Sequence, residues 1–224
     1  LVPSLAEDII WTTDIAQKLG HLPENVLQLW HHGFTEMFNN AIDHSEGTTI
    51  YVHLTQNATE SRMAIVDNGV GIFNKIKNTL GLIDERHAIF ELAKGKLTTA
   101  PQAHSGEGIF FTSRMFDEFN ILSGGVVFSH TFGDQEDWLS ERDHFKTGTT
   151  VFLQLSNHTA RTQKGIYEQF SSDGNYGFNK TVVPVRLAKV GNDQLISRSQ
   201  AKRLLARIDR FQVVMFDFQD VDFI

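Results

Sequence analysis

One apolar stripe constrains this chain more than any other feature. Val26, Trp30, Phe34, Met37 and Ala41 recur three or four residues apart, the spacing that collects side chains on one face of an α-helix. It predicts a helix from near Pro23, where a missing N–H is harmless at a helix start, to about His44, with Gly47 closing it. A helix of this kind must lie on an apolar partner, and the next residues supply one. Thr48 to Thr55 alternates with Ile50, Val52 and Leu54 on one face, and Arg62 to Asp67 is a second short β-type run beyond the hairpin loop Gln56 to Ser61.

The rest of the pattern extends both layers. A helix is expected near Asp84–Lys94 and another over Ile109–Phe116, with strands at 118–123, 126–132 and 149–155, the first two joined across Gly124-Gly125. Helices on one side of a mixed, largely antiparallel sheet make an α+β two-layer sandwich. Residues 156–177, rich in Ser, Gly, Asn and Thr, read as a linker or irregular excursion. Beyond them a strand near 181–188, a helix near Ser199–Ile208 and an apolar strand near 211–218 form a small separate unit.

With 41% hydrophobic residues and only 4 prolines in 224 residues, the chain can bury a core. It has no cysteine, which excludes disulfides, thiolate metal sites and a cysteine nucleophile. No apolar run approaches the ~20 residues that span a bilayer, and Leu1 to Ser4 does not open a secretion signal. The expectation is a cytoplasmic protein without membrane contact. Residues 1–177 hold 12 Lys+Arg against 22 Asp+Glu, and residues 178–224 hold 8 against 5. An acidic body argues against non-specific binding to a phosphate backbone, so no direct nucleic-acid binding is expected of this stretch. The chain lacks an initiator methionine and stops at Ile224 within an apolar stretch, so it reads as part of a longer product.

Four short motifs carry the chemistry. Glu36 and Asn40 stand one helical turn apart, roughly opposite the Phe34 stripe. A carboxylate and an amide oxygen there suit water activation and a hydrated Mg²⁺, or an ordinary polar helix face. Asp67-Asn68-Gly69-Val70-Gly71 ends a strand, where a rigidly held carboxylate can accept a hydrogen bond from an exocyclic amine and glycines permit close approach. His104-Ser105-Gly106-Glu107-Gly108 precedes a helix, whose free N–H groups can cradle phosphates. Gly148-Thr149-Thr150 enters a strand, and its hydroxyl can reach a ligand or a neighbour.

The order and setting of all four closely resemble the GHKL family of ATP-binding domains, which includes gyrase B subunits, heat-shock chaperones, MutL-type repair proteins, sensor histidine kinases and anti-sigma serine kinases. The resemblance covers roughly residues 25–155 and implies a Bergerat-type fold with ATP and Mg²⁺ under a mobile lid at 73–105. It implies Glu36 as the water-activating base, Asn40 as the Mg²⁺ ligand and Asp67 as the acceptor from the adenine amine. Gly69 and Gly71 would shape the adenine pocket, Gly106 and Gly108 would meet the phosphates, and Thr149 would make a further base contact. The pattern departs from sensor kinases where Asp43 and His44 replace a basic residue after the asparagine. The phosphates' cationic partner is therefore open, with Lys94, Lys96 and Lys146 as candidates by charge. His31 and His32 lie one turn before Glu36, too close to act as phosphoacceptors for ATP bound there.

The tail, Ile196 to Leu205 with Val213 to Phe218, resembles the start of a STAS-like domain. The organisation implied is an N-terminal extension at 1–24, the ATP-binding domain at 25–156, a linker at 157–177 and a partial STAS-like domain at 178–224. The resemblance implies a nucleotide-dependent bacterial regulator, an ATPase or a serine kinase with a regulatory protein partner, with a homodimer compatible. The alternative is a non-catalytic nucleotide switch or interaction module.

Overall fold

A computed structural model describes residues 6–97, 106–133, 137–141, 147–171, 178–188, 198–219 and 221. The stripe forms α3 (Glu24–His44), which buries Val26, Leu29, Trp30, Phe34, Met37, Phe38 and Ala41. Trp30 packs edge-on against Phe116 with ring centroids 4.8 Å apart, and Phe34 stacks on Phe38 at 5.1 Å. Full burial of side chains this large contributes about 1.5–3 kcal/mol each. The helix starts as expected, with the Leu27 N–H donating to the Pro23 carbonyl at 3.0 Å. Its end differs. Glu46, not Gly47, takes the left-handed conformation (φ 58°). Gly47 is instead required by contact, because a Cβ there would stand 2.7 Å from Asn68 Oδ1.

Under α3 lies one six-stranded sheet in the order β1-β2-β6-β3-β4-β5. The strands are β1 (Ile50–Gln56), β2 (Glu60–Asp67), β3 (Glu118–Ser123), β4 (Val126–Thr131), β5 (Asp137–Glu141) and β6 (Thr149–Ser156). All its pairings are antiparallel, so the main sheet is not mixed. The structure is thus α+β, with helices on a mostly antiparallel sheet. Ile65, Val151 and Ile121 form one row across β2, β6 and β3, and Asp67, Thr149 and Ser123 form the row two residues on. The two-residue period of a strand places both rows on the same face, the one that α3 covers.

Several expectations need correction. Residues 72–80 form a helix, α4 (Ile72–Leu80), although Phe73, Ile76 and Leu80 already carried its period. Helix α5 (Glu85–Lys94) begins where expected, capped by Asp84, whose side chain accepts from the His87 N–H. Helix α6 (Gly108–Met115) starts one residue earlier than expected. The supposed linker contains α7 (Gln163–Gln169), capped by the Thr162 hydroxyl. The N-terminal extension is helical over residues 7–19 as α1 (Glu7–Ile10), a π-helical turn (Trp11–Ile15) and α2 (Ala16–Leu19), and Trp11 packs on Phe34.

At the C-terminal end, β7 (Lys180–Pro184) pairs in parallel with β8 (Val213–Asp217), with α8 (Arg198–Leu204) between them in the chain. The strand expected at 181–188 stops at Pro184, which offers no N–H for a ladder, and continues as a 3₁₀ turn, Val185–Ala188. This βαβ unit packs on α5, with Phe90 buried among Val183, Val185 and Leu204. No helix among the described residues is long and apolar enough to cross a membrane.

Candidate functional site

Between α3 and the sheet lies a cavity of about 310 Å³. Its floor is the row Ile65, Val151 and Ile121, with Asp67 and Thr149 at one end. Glu36, Met37, Asn40, Ala41 and His44 of α3 form one wall. Leu92, Leu97, Gly106 and Gly108 complete the lining, and Lys75 reaches in from α4. Glu36 and Asn40 therefore sit at the edge of the apolar stripe beside Met37 and Ala41, not opposite it. Six of the eight expected site residues meet here: Glu36, Asn40, Asp67, Gly106, Gly108 and Thr149.

The Asp67 end is fixed by main-chain bonds. Asp67 Oδ1 accepts from the Gly69 N–H at 2.8 Å and from the Thr149 N–H at 3.2 Å. Thr149 Oγ1 accepts from the Ile72 N–H at 3.0 Å, which ties the start of α4 to β6. Burial pushes the Asp67 carboxyl above its ordinary range, and the bonds from Gly69 and Thr149 pull it partly back. Asn68 is structural. Its Oδ1 accepts from the Thr48 and Thr49 N–H groups at 2.8 and 3.0 Å, stitching the turn after α3 to the end of β2.

Gly69 and Gly71 do not line the cavity. Gly69 presses on the last turn of α3, where a Cβ would run into the Ser45 carbonyl, and the Val70 N–H donates to that oxygen at 2.8 Å. Gly71 has φ 83°, and a Cβ there would stand 2.6 Å from Ser123 Oγ. Both form the joint that holds Asp67, α3 and α4 together. At the opposite end Gly108 lies so close to α3 that a Cβ would meet the Glu36 carboxylate, and Gly106 (φ 76°) passes the backbone of Leu97. The lid expected at 73–105 includes α4, α5 and Leu97. Its residues 98–105, with His104 and Ser105, lie outside the described ones.

The lysine candidates are corrected. Lys94 is buried and ion-paired with Glu91 at 2.9 Å, and Lys96 donates to the Arg210 carbonyl at 2.9 Å. Both face the C-terminal unit, and Lys146 lies outside the described residues. The lysine in the cavity wall is Lys75, whose Nζ donates to the His44 carbonyl at 2.8 Å and pairs with Glu46 at 2.9 Å. Sequence reading missed it because α4 was not recognised as a helix.

Sequence reading also missed α7, which backs the Glu36 end. Tyr167 lies on Phe111 with ring centroids 4.0 Å apart, and Gln163 Nε2 is 3.3 Å from His32 Nδ1. Burial raises the Tyr167 phenol pKa, opposed by a hydrogen bond with Gln163 and reinforced by the Glu36 and Glu107 carboxylates. Burial lowers His32 to about 4, with His31 adding to the effect, so the ring is neutral at pH 7. The Glu107 carboxyl is raised by burial against the pull of Lys96.

Among the described residues no group of three or more His, Asp or Glu side chains is placed to hold a metal ion. The cavity wall does offer the Asn40 amide and Glu36 carboxylate oxygens, a donor set that suits Mg²⁺, which keeps several waters and shares its shell with phosphates. No protein-family model matches the chain, and no curated protein matches it.

Proposed function

We propose that this chain is a GHKL-type, Mg-ATP-binding regulatory module with a Bergerat-type ATP site, followed by a STAS-like unit, acting as an ATPase or as a kinase toward a protein serine. The observation that carries this reading is the convergence of Glu36, Asn40, Asp67, Gly106, Gly108 and Thr149, from four separate segments, on one cavity. Its volume of about 310 Å³ is within the range of small-molecule sites, about 300–1,000 Å³.

In this reading Asp67, held by two N–H donors, accepts from the adenine amine, and Thr149 makes a further contact to the base. Ile65, Ile121 and Val151 bury the flat face of the base. Asn40 gives its amide oxygen to Mg²⁺, which when bound neutralises charge on the phosphates. The N-terminal turn of α6 presents N–H groups to phosphate oxygens, and the absence of a side chain at Gly106 and Gly108 allows that approach. Glu36 takes the proton from the attacking water, or from a serine hydroxyl in the kinase version.

Calorimetric titration with ATP and Mg²⁺, followed by phosphate release from the same sample, tests this. The parent should bind and slowly release phosphate. Asp67→Ala should lose about tenfold or more in affinity, as for a charge-assisted hydrogen bond, whereas Glu36→Ala should keep its affinity and lose turnover. Undiminished binding by Asp67→Ala would overturn the assignment of the base pocket. Binding without release would favour a kinase awaiting its serine acceptor or the second reading, a nucleotide switch without turnover, which the packing of the C-terminal unit on the cavity wall supports.

A further inference from the structure

We propose that α5 and the residues that follow it form a wall shared by the cavity and the C-terminal βαβ unit, so that nucleotide occupancy and docking of that unit are coupled through Lys94 and a reciprocal Lys96–Arg210 pair. The inference rests on the nucleotide reading above and specifies how that site is regulated.

The inner side of this segment belongs to the cavity, where Leu92 and Leu97 line it and the Leu97 N–H donates to the Gly106 carbonyl at 3.1 Å. The outer side belongs to the C-terminal unit. Lys94 Nζ uses all three of its donors, to Glu91 Oε1 at 2.9 Å and to the Arg203 and Ala206 carbonyls at 2.7 and 3.0 Å. Those carbonyls are at the end of α8, where a cation is favoured. The Thr181 hydroxyl on β7 donates to the Lys94 carbonyl at 2.7 Å. Two residues on, past the end of α5, Lys96 Nζ donates to the Arg210 carbonyl at 2.9 Å, and Arg210 Nη1 donates back to the Lys96 carbonyl at 2.8 Å.

An aromatic path runs parallel to this clamp. Phe110, in the cavity wall, meets Phe178 at 4.5 Å, and Phe178 meets Phe211 at 5.1 Å. Gly95 (φ 82°) lets the chain pass between them, since a Cβ there would stand 2.6 Å from the Phe178 ring.

The two walls differ in stiffness. The floor strands are locked in hydrogen-bonded ladders on both sides of β6, so they resist a ligand that needs more room. Apart from its own helical bonds and the Leu97–Gly106 bond, the α5 wall is held by side chains, and its outward contacts include those of the C-terminal unit. A ligand that moves Leu92 and Leu97 must also move the ammonium groups that hold α8 and Arg210. Coupling of this kind is reciprocal: whatever loosens the clamp changes nucleotide affinity by the factor with which nucleotide changes the clamp.

Hydrogen–deuterium exchange on the intact chain, with and without Mg-ATP, tests this in the parent and in Arg210→Ala and Lys96→Met. Arg210 is exposed, so its replacement leaves the core intact. In the parent, Mg-ATP should change exchange over residues 198–217 by about fivefold or more. Both variants should lose most of that change while keeping the response over residues 60–72. A response at 60–72 with none at 198–217 in the parent would overturn the coupling and leave the nucleotide reading standing. An undiminished response at 198–217 in both variants would overturn the Lys96–Arg210 pair as its route. No response anywhere would overturn the nucleotide reading, and the coupling with it.

Discussion

The two ends of the cavity are closed by different means. At the Asp67 end the main chain does the closing: the Gly69 and Thr149 N–H groups hold the carboxylate, the Ser45 carbonyl receives the Val70 N–H, and the Gly69 carbonyl receives the Gly148 N–H at 2.8 Å. At the Glu36 end side chains back the close glycines Gly106 and Gly108: Tyr167, Gln163 and His32 stand behind the carboxylate, and along the neighbouring α5 wall Lys94, Lys96 and Phe178 do the same. Main-chain closure needs residues that permit a backbone path, whereas side-chain closure needs partners that fit one another. The first should fail when an atom is added, and the second when a charge is removed or gained.

The largest effect is expected where the side-chain closure carries a buried charge. Lys94 and Glu91 are almost fully buried, and the lysine also holds the end of α8. Removing one member of a buried pair strands the other, at about 3–5 kcal/mol. Burial lowers the Lys94 pKa against the pull of Glu91, which is the sign of an ammonium that depends on its partner. Urea denaturation should show Lys94→Ala destabilised on that scale, and Lys94→Met with Glu91→Leu recovering much of the loss. A single variant within 1 kcal/mol of the parent would mean that the clamp bears little of the fold.

Next comes a gained charge at the Glu36 end. His32 has its pKa lowered from 6.5 to about 4 by burial, and its Nε2 has no hydrogen-bond partner among the described residues. A histidine with a depressed native pKa favours the fold above the unfolded pKa and loses that contribution as pH falls, because the unfolded chain takes up the proton first. The loss should run from about pH 6.5 to about pH 4 and amount to about 3 kcal/mol. His32→Gln should remove this component, flattening the stability profile across that window. Parallel profiles for parent and variant would show that another group sets acid stability.

The same contrast explains what the sequence could reveal. Asp67, Gly69 and Gly71 fall within five residues, and Glu36 and Asn40 within one turn, so the need for a rigid acceptor, a close approach and a shared helix face is written locally. The strands carried their period of two, and α3 its stripe. The other end was not legible because its partners are far apart in the chain: His32 meets Gln163, Lys94 meets Arg203 and Ala206, and Lys96 meets Arg210. No spacing rule links such pairs. Lys94 and Lys96 therefore looked like free cations available to a phosphate, and α7 looked like a linker because its polar residues outweigh the short pattern Ile166, Tyr167, Phe170. The period of α4 was present in Phe73, Ile76 and Leu80, but the glycine-rich turn before it masked the start of a helix.

The smallest effect separates two reasons for needing glycine. Gly69 does not have a positive φ, yet a Cβ there would run into the Ser45 carbonyl. Gly81, at the end of α4, has φ 63° with no heavy atom within 4 Å of the added Cβ. Gly69→Ala therefore tests contact alone and Gly81→Ala tests backbone conformation alone. The Gly81 variant should lose about 1 kcal/mol, the strain of one left-handed alanine. The Gly69 variant should lose about 1–3 kcal/mol, because Ser45 ends α3 and can retreat only by lifting the helix that carries Asn40 and Glu36. That displacement should also weaken nucleotide binding in Gly69→Ala, whereas Gly81→Ala should bind as the parent does. Equal losses of stability with unchanged binding in both would place Ser45 on a yielding turn, and the Asp67 end would then be no stiffer than the wall it faces.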